Sequence, residues 1–187
     1  MPDGTVRFGW VPNALTIGRL AALPVLLAVL IRAEGSTSTL GWTIFAIVAV
    51  TDFLDGYLAR RLGAETRFGR IADPLADRLL VGVGLVGVLL LGSISPVAPL
   101  ILIARDVTIV AGVALLLRRG IEMRVDMAGK ISSTLTMLAT GTAILLEGPW
   151  VEAVVWVAVV VALTTFANYG RMTAATLRAA RETSTPP

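Results

Sequence analysis

Four aspartates, Asp52, Asp55, Asp73 and Asp77, stand within a 26-residue stretch of a chain that contains neither Cys nor His. Disulfides, thiol nucleophiles, zinc sites of the usual ligands and imidazole acid–base chemistry are therefore excluded, and any catalysis runs on carboxylates, Arg, Lys or hydroxyls. The aspartates fall at i,i+3 and at i,i+4, spacings that place each pair on one face of a helix. If the two pairs converge, their repulsion asks for bound positive charge. Carboxylate oxygens alone favour hard divalent ions, Mg²⁺ or Mn²⁺ first, and four of them suffice for two ions. Two such metals beside Arg60, Arg67 and Arg70 point to phosphate chemistry, in which the ions bridge a diphosphate and the guanidinium groups orient its oxygens. Gly56, Ala59 and Gly69, interleaved with the acids, would let a nucleotide approach the backbone closely.

The elements that must carry these groups follow from composition. A chain of 187 residues that is 56% hydrophobic and 16% charged, with a mean hydropathy of +0.82, has too little polar surface to stand in water. Its net charge of +3 is carried by Arg at the edges of apolar runs instead of in one patch, which argues against nucleic acid. A bilayer core of about 30 Å takes about 20 apolar residues in a helix, and six runs qualify, near 14–31, 40–59, 71–91, 97–117, 128–146 and 151–167, the last with room to run on past Tyr169 to about residue 175. The expected architecture is an all-α integral membrane protein, a six-transmembrane-helix bundle forming one domain over residues 1–177. No alternating segments of the kind a barrel needs occur. Residues 1–13 read as a juxtamembrane segment, amphipathic in the interface or a plain tail, without the pattern of a cleaved signal. The polar residues 178–187 read as a tail fraying into solvent.

Orientation follows the basic residues. Arg7, then Arg60, Arg61, Arg67 and Arg70, then Arg118, Arg119, Arg124 and Lys130, then Arg171, Arg178 and Arg181 all fall on one side, while Arg32 with Glu34, an uncharged GSISP turn and Glu147 with Glu152 fall on the other. Both termini and the aspartate cluster are thus expected at the cytoplasmic face. The short link between the second and third runs predicts an antiparallel pair that turns the two acidic pairs toward each other.

Arg19, Arg78, Arg105 and Asp106 are further charges at membrane depth, where ionised groups are costly and usually functional. The acids could instead form a salt-bridge network with Arg60, Arg67, Arg70 and Arg78, but four carboxylates for structure alone are expensive there. A divalent-metal transporter would explain intramembrane acids, though not their clustering at one end among small residues and Arg. A non-catalytic helical scaffold would leave them without a reason. Pro24 and the glycines at 82, 84 and 87 read as kink and close-packing features. Trp10, Trp42, Trp150 and Trp156 read as interfacial anchors, and Thr134, Thr136 and Thr140 as bonded to helix backbone.

The stretch DFLDGYLARRLGAETRFGRIADPLAD, residues 52–77, resembles the signature of the CDP-alcohol phosphatidyltransferases, D-x-x-D-G-x-x-A-R, eight residues, then G-x-x-x-D-x-x-x-D, and matches all of its specified positions. PNALTIGRLAALP before it is similar to the family's first membrane helix. The resemblance implies that Asp52, Asp55, Asp73 and Asp77 ligate two divalent metals, with Asp77 also the general base on an acceptor hydroxyl. It implies that Asp52, Gly56, Ala59, Arg60 and Gly69 hold the CDP moiety, Arg60 on its diphosphate. The implied reaction is direct attack by the hydroxyl on the lipid-side phosphorus of CDP-diacylglycerol, expelling CMP. A homodimer is implied by resemblance alone.

Within the family, ADPLADRLL looks most like the branch with glycerol-type acceptors. Phosphatidylglycerophosphate synthases are expected to carry Arg-Glu in the fourth helix and G-K-x-K-T opening the fifth. Here Arg105-Asp106 and GKISS stand instead, with Ser132 in place of the second Lys. The first departure resembles the CMP-forming cardiolipin synthases, and a lost cation suits a singly charged phosphodiester better than a phosphomonoester. The reading leans to phosphatidylglycerol as acceptor, giving cardiolipin, with glycerol 3-phosphate as the alternative. Arg105 and Lys130 are candidates for the acceptor phosphate. Arg19 is a candidate for the acceptor, for neutralising the acids, or for pairing with a carbonyl or lipid phosphate.

Overall fold

The computed structural model describes residues 11–62, 69–118 and 127–182, with side chains described at 18–52, 54, 76–115 and 127–171. These residues form six α-helices, α1 (Val11–Ile31), α2 (Thr39–Leu62), α3 (Gly69–Leu91), α4 (Val97–Arg118), α5 (Met127–Leu145) and α6 (Pro149–Glu182), and no strand occurs among them.

Apolar residues recur at three and four along each helix and meet in one core: Leu23, Leu26 and Leu30 of α1, Phe45 and Val48 of α2, Leu85 and Val88 of α3, Leu102 of α4, Ile144 of α5 and Val151, Val155 and Val159 of α6. The helix α3 is the hub, packed against α1, α2, α4 and α5. The expected contact between α2 and α3 exists, but α1 packs on each of them more extensively than they pack on one another among the described residues.

Small residues decide how close the helices come. A Cβ on Gly84 would lie 2.7 Å from Thr140 Cγ2 and 2.8 Å from Phe45 Cε2, and one on Gly87 would run into Leu30. Gly82 does not share this role, since nothing lies within 4 Å of its Cβ position. Thr136 and Thr140 donate to the carbonyls of Ser132 and Thr136 at 2.9 and 2.8 Å, as expected of hydroxyls on an apolar helix, whereas Thr134 is exposed.

The connections opposite the aspartates are short, and each holds a glycine in the left-handed region: Gly35 (φ 100°), Gly92 (φ 67°) and Gly148 (φ 123°). A side chain is strained at those angles, so the reversals depend on glycine. Ser38 caps α2 by accepting from the Gly41 N–H at 3.0 Å, and its own N–H donates to the Ile144 carbonyl at 2.8 Å, docking the start of α2 on the end of α5. The Ser36 hydroxyl donates to the Glu147 carboxylate beside it.

Helix limits depart from expectation at both ends. α1 starts at Val11, taking in Pro12 and Asn13 of the expected juxtamembrane segment, because proline is tolerated in a first turn where its missing N–H is not needed. α6 runs 34 residues to Glu182, past the expected end and into the expected polar tail. The stretch that carries it, AATLRAARE, is built of strong helix formers.

Large apolar side chains stand exposed on every helix, among them Val25, Ile47, Leu90, Leu100, Leu138 and Val160. A surface of that kind matches hydrocarbon, not water. Among the described residues, Val97–Leu115 and Pro149–Arg171 are long and apolar enough to cross a membrane, and Gly18–Ile31 and Thr39–Asp52 are shorter apolar stretches.

Candidate active site

Successive helices alternate in direction, which brings the first halves of α1, α3 and α5 to the same end as the second halves of α2 and α4. Arg19 on α1 is buried, and its Nη2 forms an ion pair with Asp52 Oδ1 on α2. Asp52 keeps 22% of its side chain exposed, so the pair is closed on the Arg side and open on the carboxylate side. Arg19 Nη1 is buried and has no hydrogen-bond partner. Arg19 is thus paired with one acid of the cluster, Asp52.

A second network joins three helices at this end. Arg78 on α3 and Arg105 on α4 both donate from Nη1 to Oδ1 of Asp106, each at 2.7 Å, and Arg105 Nη2 donates to the Ser132 hydroxyl on α5 at 3.2 Å. Arg105 is buried, Ser132 fully so, and Arg105 Nε has no partner. Sequence reading singled out each of these charges and paired Arg105 with its neighbour Asp106. It did not see that one carboxylate oxygen serves two guanidinium groups from different helices, or that Ser132 completes the chain.

Asp77 lies exposed on α3, one residue before Arg78, and Lys130 is exposed in the first turn of α5. Beside Lys130, Gly129 is buried against Tyr169 of α6, where a Cβ would strike the phenol. Asp55, Gly56, Ala59 and Arg60 lie on α2, and Gly69, which opens α3, and Asp73 lie on α3, but their side chains are outside the described residues. So are Arg61, Arg67 and Arg70, together with residues 119–126 of the second basic loop. Among the described residues no three acidic side chains converge. The donor chemistry nonetheless fits hard divalent ions: Asp52 is a partly open carboxylate that already attracts a cation, and every acid of the cluster offers only oxygen.

The chain is similar to known proteins over most of its length. A family model described as CDP-alcohol phosphatidyltransferase matches residues 9–165. A "Probable phosphatidylglycerophosphate synthase" of Mycobacterium tuberculosis is 34% identical over 166 residues, covering 86% of this chain and 79% of that protein. The "CDP-diacylglycerol--glycerol-3-phosphate 3-phosphatidyltransferase" of Bacillus subtilis is 30% identical over 168 residues, covering 79% and 86%. A "Cardiolipin synthase (CMP-forming)" of Streptomyces coelicolor is 34% identical over 154 residues, covering 80% and 72%.

Proposed function

This chain belongs to the CDP-alcohol phosphatidyltransferase family, and from that membership we propose that it moves the phosphatidyl group of CDP-diacylglycerol to a glycerol-type acceptor with release of CMP. It is a transferase of phospholipid synthesis, which sets aside the metal-transporter and scaffold readings. The observation that carries the proposal is the complete signature laid across the end of α2 and the start of α3, with Asp52 held by Arg19 and Asp77 exposed on the neighbouring helix.

Asp52, Asp55, Asp73 and Asp77 would hold two divalent ions, Mg²⁺ or Mn²⁺, whose charge offsets the developing negative charge on the diphosphate. Gly56, Ala59 and Gly69 leave room for the nucleotide, and Arg60 reaches its diphosphate. Asp77 takes the proton of the acceptor hydroxyl as its oxygen forms the new bond to the lipid-side phosphorus. The bond from that phosphorus to the bridging oxygen breaks, and CMP leaves with its electron pair. No covalent enzyme intermediate is needed. Arg19 keeps the Asp52 carboxylate in place without adding net negative charge to the cluster.

Glycerol 3-phosphate is the acceptor favoured by the relatives from Mycobacterium and Bacillus. A second reading, phosphatidylglycerol giving cardiolipin, rests on Ser132: it is fully buried against Arg105 and stands where the glycerol 3-phosphate branch is expected to carry a lysine, one cation fewer for a doubly charged phosphomonoester. The basic loops favour a multi-pass protein with this site at the cytoplasmic face, and family likeness favours a homodimer. The test is CMP release by the purified protein with CDP-diacylglycerol and Mg²⁺ or Mn²⁺, offered glycerol 3-phosphate, phosphatidylglycerol, inositol phosphate or serine. Release with either of the first two supports the reading and chooses the acceptor; release only with the others, or with none, refutes it.

A further inference from the structure

Arg19 and Asp52 end two stripes of core positions that meet across the α1–α2 contact. On α1 the stripe runs Arg19, Leu23, Leu26, Leu30, and on α2 it runs Phe45, Val48, Asp52. The Arg19 side chain is 5% exposed and that of Asp52 22%. The contact is made by Nη2 on Oδ1, while Nη1 is buried and has no partner. The two terminal nitrogens therefore do not close on both carboxylate oxygens, although a planar fork is able to do so. A pair kept only to tie α1 to α2 would be stronger as that two-pronged contact, or as two well-packed apolar side chains. What the one-pronged contact provides is a carboxylate with one oxygen held from the core side and the rest of its surface partly open.

Resting on the reading of Asp52 as a metal ligand, we propose that Arg19 is a positioning residue that restricts Asp52 to ligation through one oxygen and thereby favours Mg²⁺ over Ca²⁺ at the site. Mg²⁺ is small, demands a near-octahedral shell and dehydrates reluctantly, so a single carboxylate oxygen suits it. Ca²⁺ accepts more oxygens at longer range and takes both from one carboxylate where it can. To offer both, Asp52 has to release Oδ1 from Arg19, and a charge-assisted hydrogen bond to a buried guanidinium is lost with it. That loss falls on the larger ion alone. Groups that hold a metal ligand from behind control its orientation and the affinity of the site. Arg19 does so from α1, an element that carries none of the four aspartates.

The experiment titrates the purified full chain in detergent with Mn²⁺, follows the free ion by its electron paramagnetic resonance signal, and then displaces it with Mg²⁺ or with Ca²⁺. The two competitors carry the same charge, so loss of the Arg19 cation by itself changes both affinities by the same factor, and their ratio reports how many oxygens Asp52 gives. Expected is a rise of roughly 10-fold in the ratio of Ca²⁺ to Mg²⁺ affinity for Arg19→Met, one charge-assisted hydrogen bond no longer opposing the larger ion. Arg19→Lys keeps the charge without the rigid fork and should show a smaller rise; it serves alone should the Met variant fail to fold. In an Asp52→Asn background, adding Arg19→Met should leave the ratio where it is, because Arg19 acts through that carboxylate. An unchanged ratio in the single variants overturns the proposal, even if their melting midpoints fall, since a merely structural pair would do that much. So does a change of ratio that persists in the Asp52→Asn background. Failure of folded wild type to bind Mn²⁺ refutes the metal-site reading and this proposal with it, whereas Mn²⁺ bound with a ratio indifferent to Arg19 refutes only the role given to Arg19.

Discussion

At the scale of single residues, the site is a problem of charge accounting. Asp52 is the acid whose partner is seen, and Arg19 holds it across the α1–α2 contact. Removing only the cation takes the partner from a carboxylate that is still partly open to water, so Arg19→Ala should cost about 1–2 kcal/mol. Arg19→Ala combined with Asp52→Asn should recover part of that loss, as read from melting midpoints in detergent through a double-mutant cycle. Asp77 is proposed to act as base on the acceptor hydroxyl in addition to holding metal. Asp77→Asn keeps size and shape on an exposed position of α3 and should fold and take up CDP-lipid as wild type does. Its CMP release should fall by about 10²- to 10⁴-fold, the usual contribution of a positioned base. Near-normal turnover in that variant would remove the base assignment.

At the scale of elements, helix existence was legible and helix ends were not. Six apolar runs announce six helices because an apolar stretch of that length can bury its side chains only by satisfying its own backbone. The continuation of α6 past Tyr169 was legible, but its last turns to Glu182 were not, because polarity reads as a stop signal while Ala, Leu, Arg and Glu are all good helix formers. The glycines of α3 show the same limit. Residues 82, 84 and 87 looked alike in sequence, yet only Gly84 and Gly87 meet neighbours. Gly84→Ala should therefore destabilise by about 1–3 kcal/mol through overpacking against Thr140 and Phe45. Gly82→Ala should be neutral or slightly stabilising, since it removes only backbone freedom. Equal melting midpoints for the two variants would contradict the α2–α3–α5 packing. Loss of the cap in Ser38→Ala should cost about 1 kcal/mol.

At the scale of the whole molecule, the basic loops and the alternation of helix direction make a statement about sidedness. Since the chain has no cysteine, single introduced cysteines report position cleanly. Ser95→Cys, in the turn between α3 and α4, should react with a membrane-impermeant maleimide added outside intact cells. Ser184→Cys, near the C-terminus, should react only after the membrane is opened. Labelling of both from outside would refute cytoplasmic termini and move the aspartate cluster to the other face.

The sequence alone determined the chemistry's inventory: acids, small residues and Arg at fixed intervals, on helices, in a chain too apolar for water. Those are local properties, set by residue type and by a periodicity of 3.6. The tertiary structure decided the partners. That Arg19 meets Asp52, that Asp106 serves Arg78 and Arg105 together, and that Ser132 stands behind Arg105 depend on the rotation and register of one helix against another. Those are set by how side chains and glycines interlock across the whole core, and no spacing along a single helix contains them.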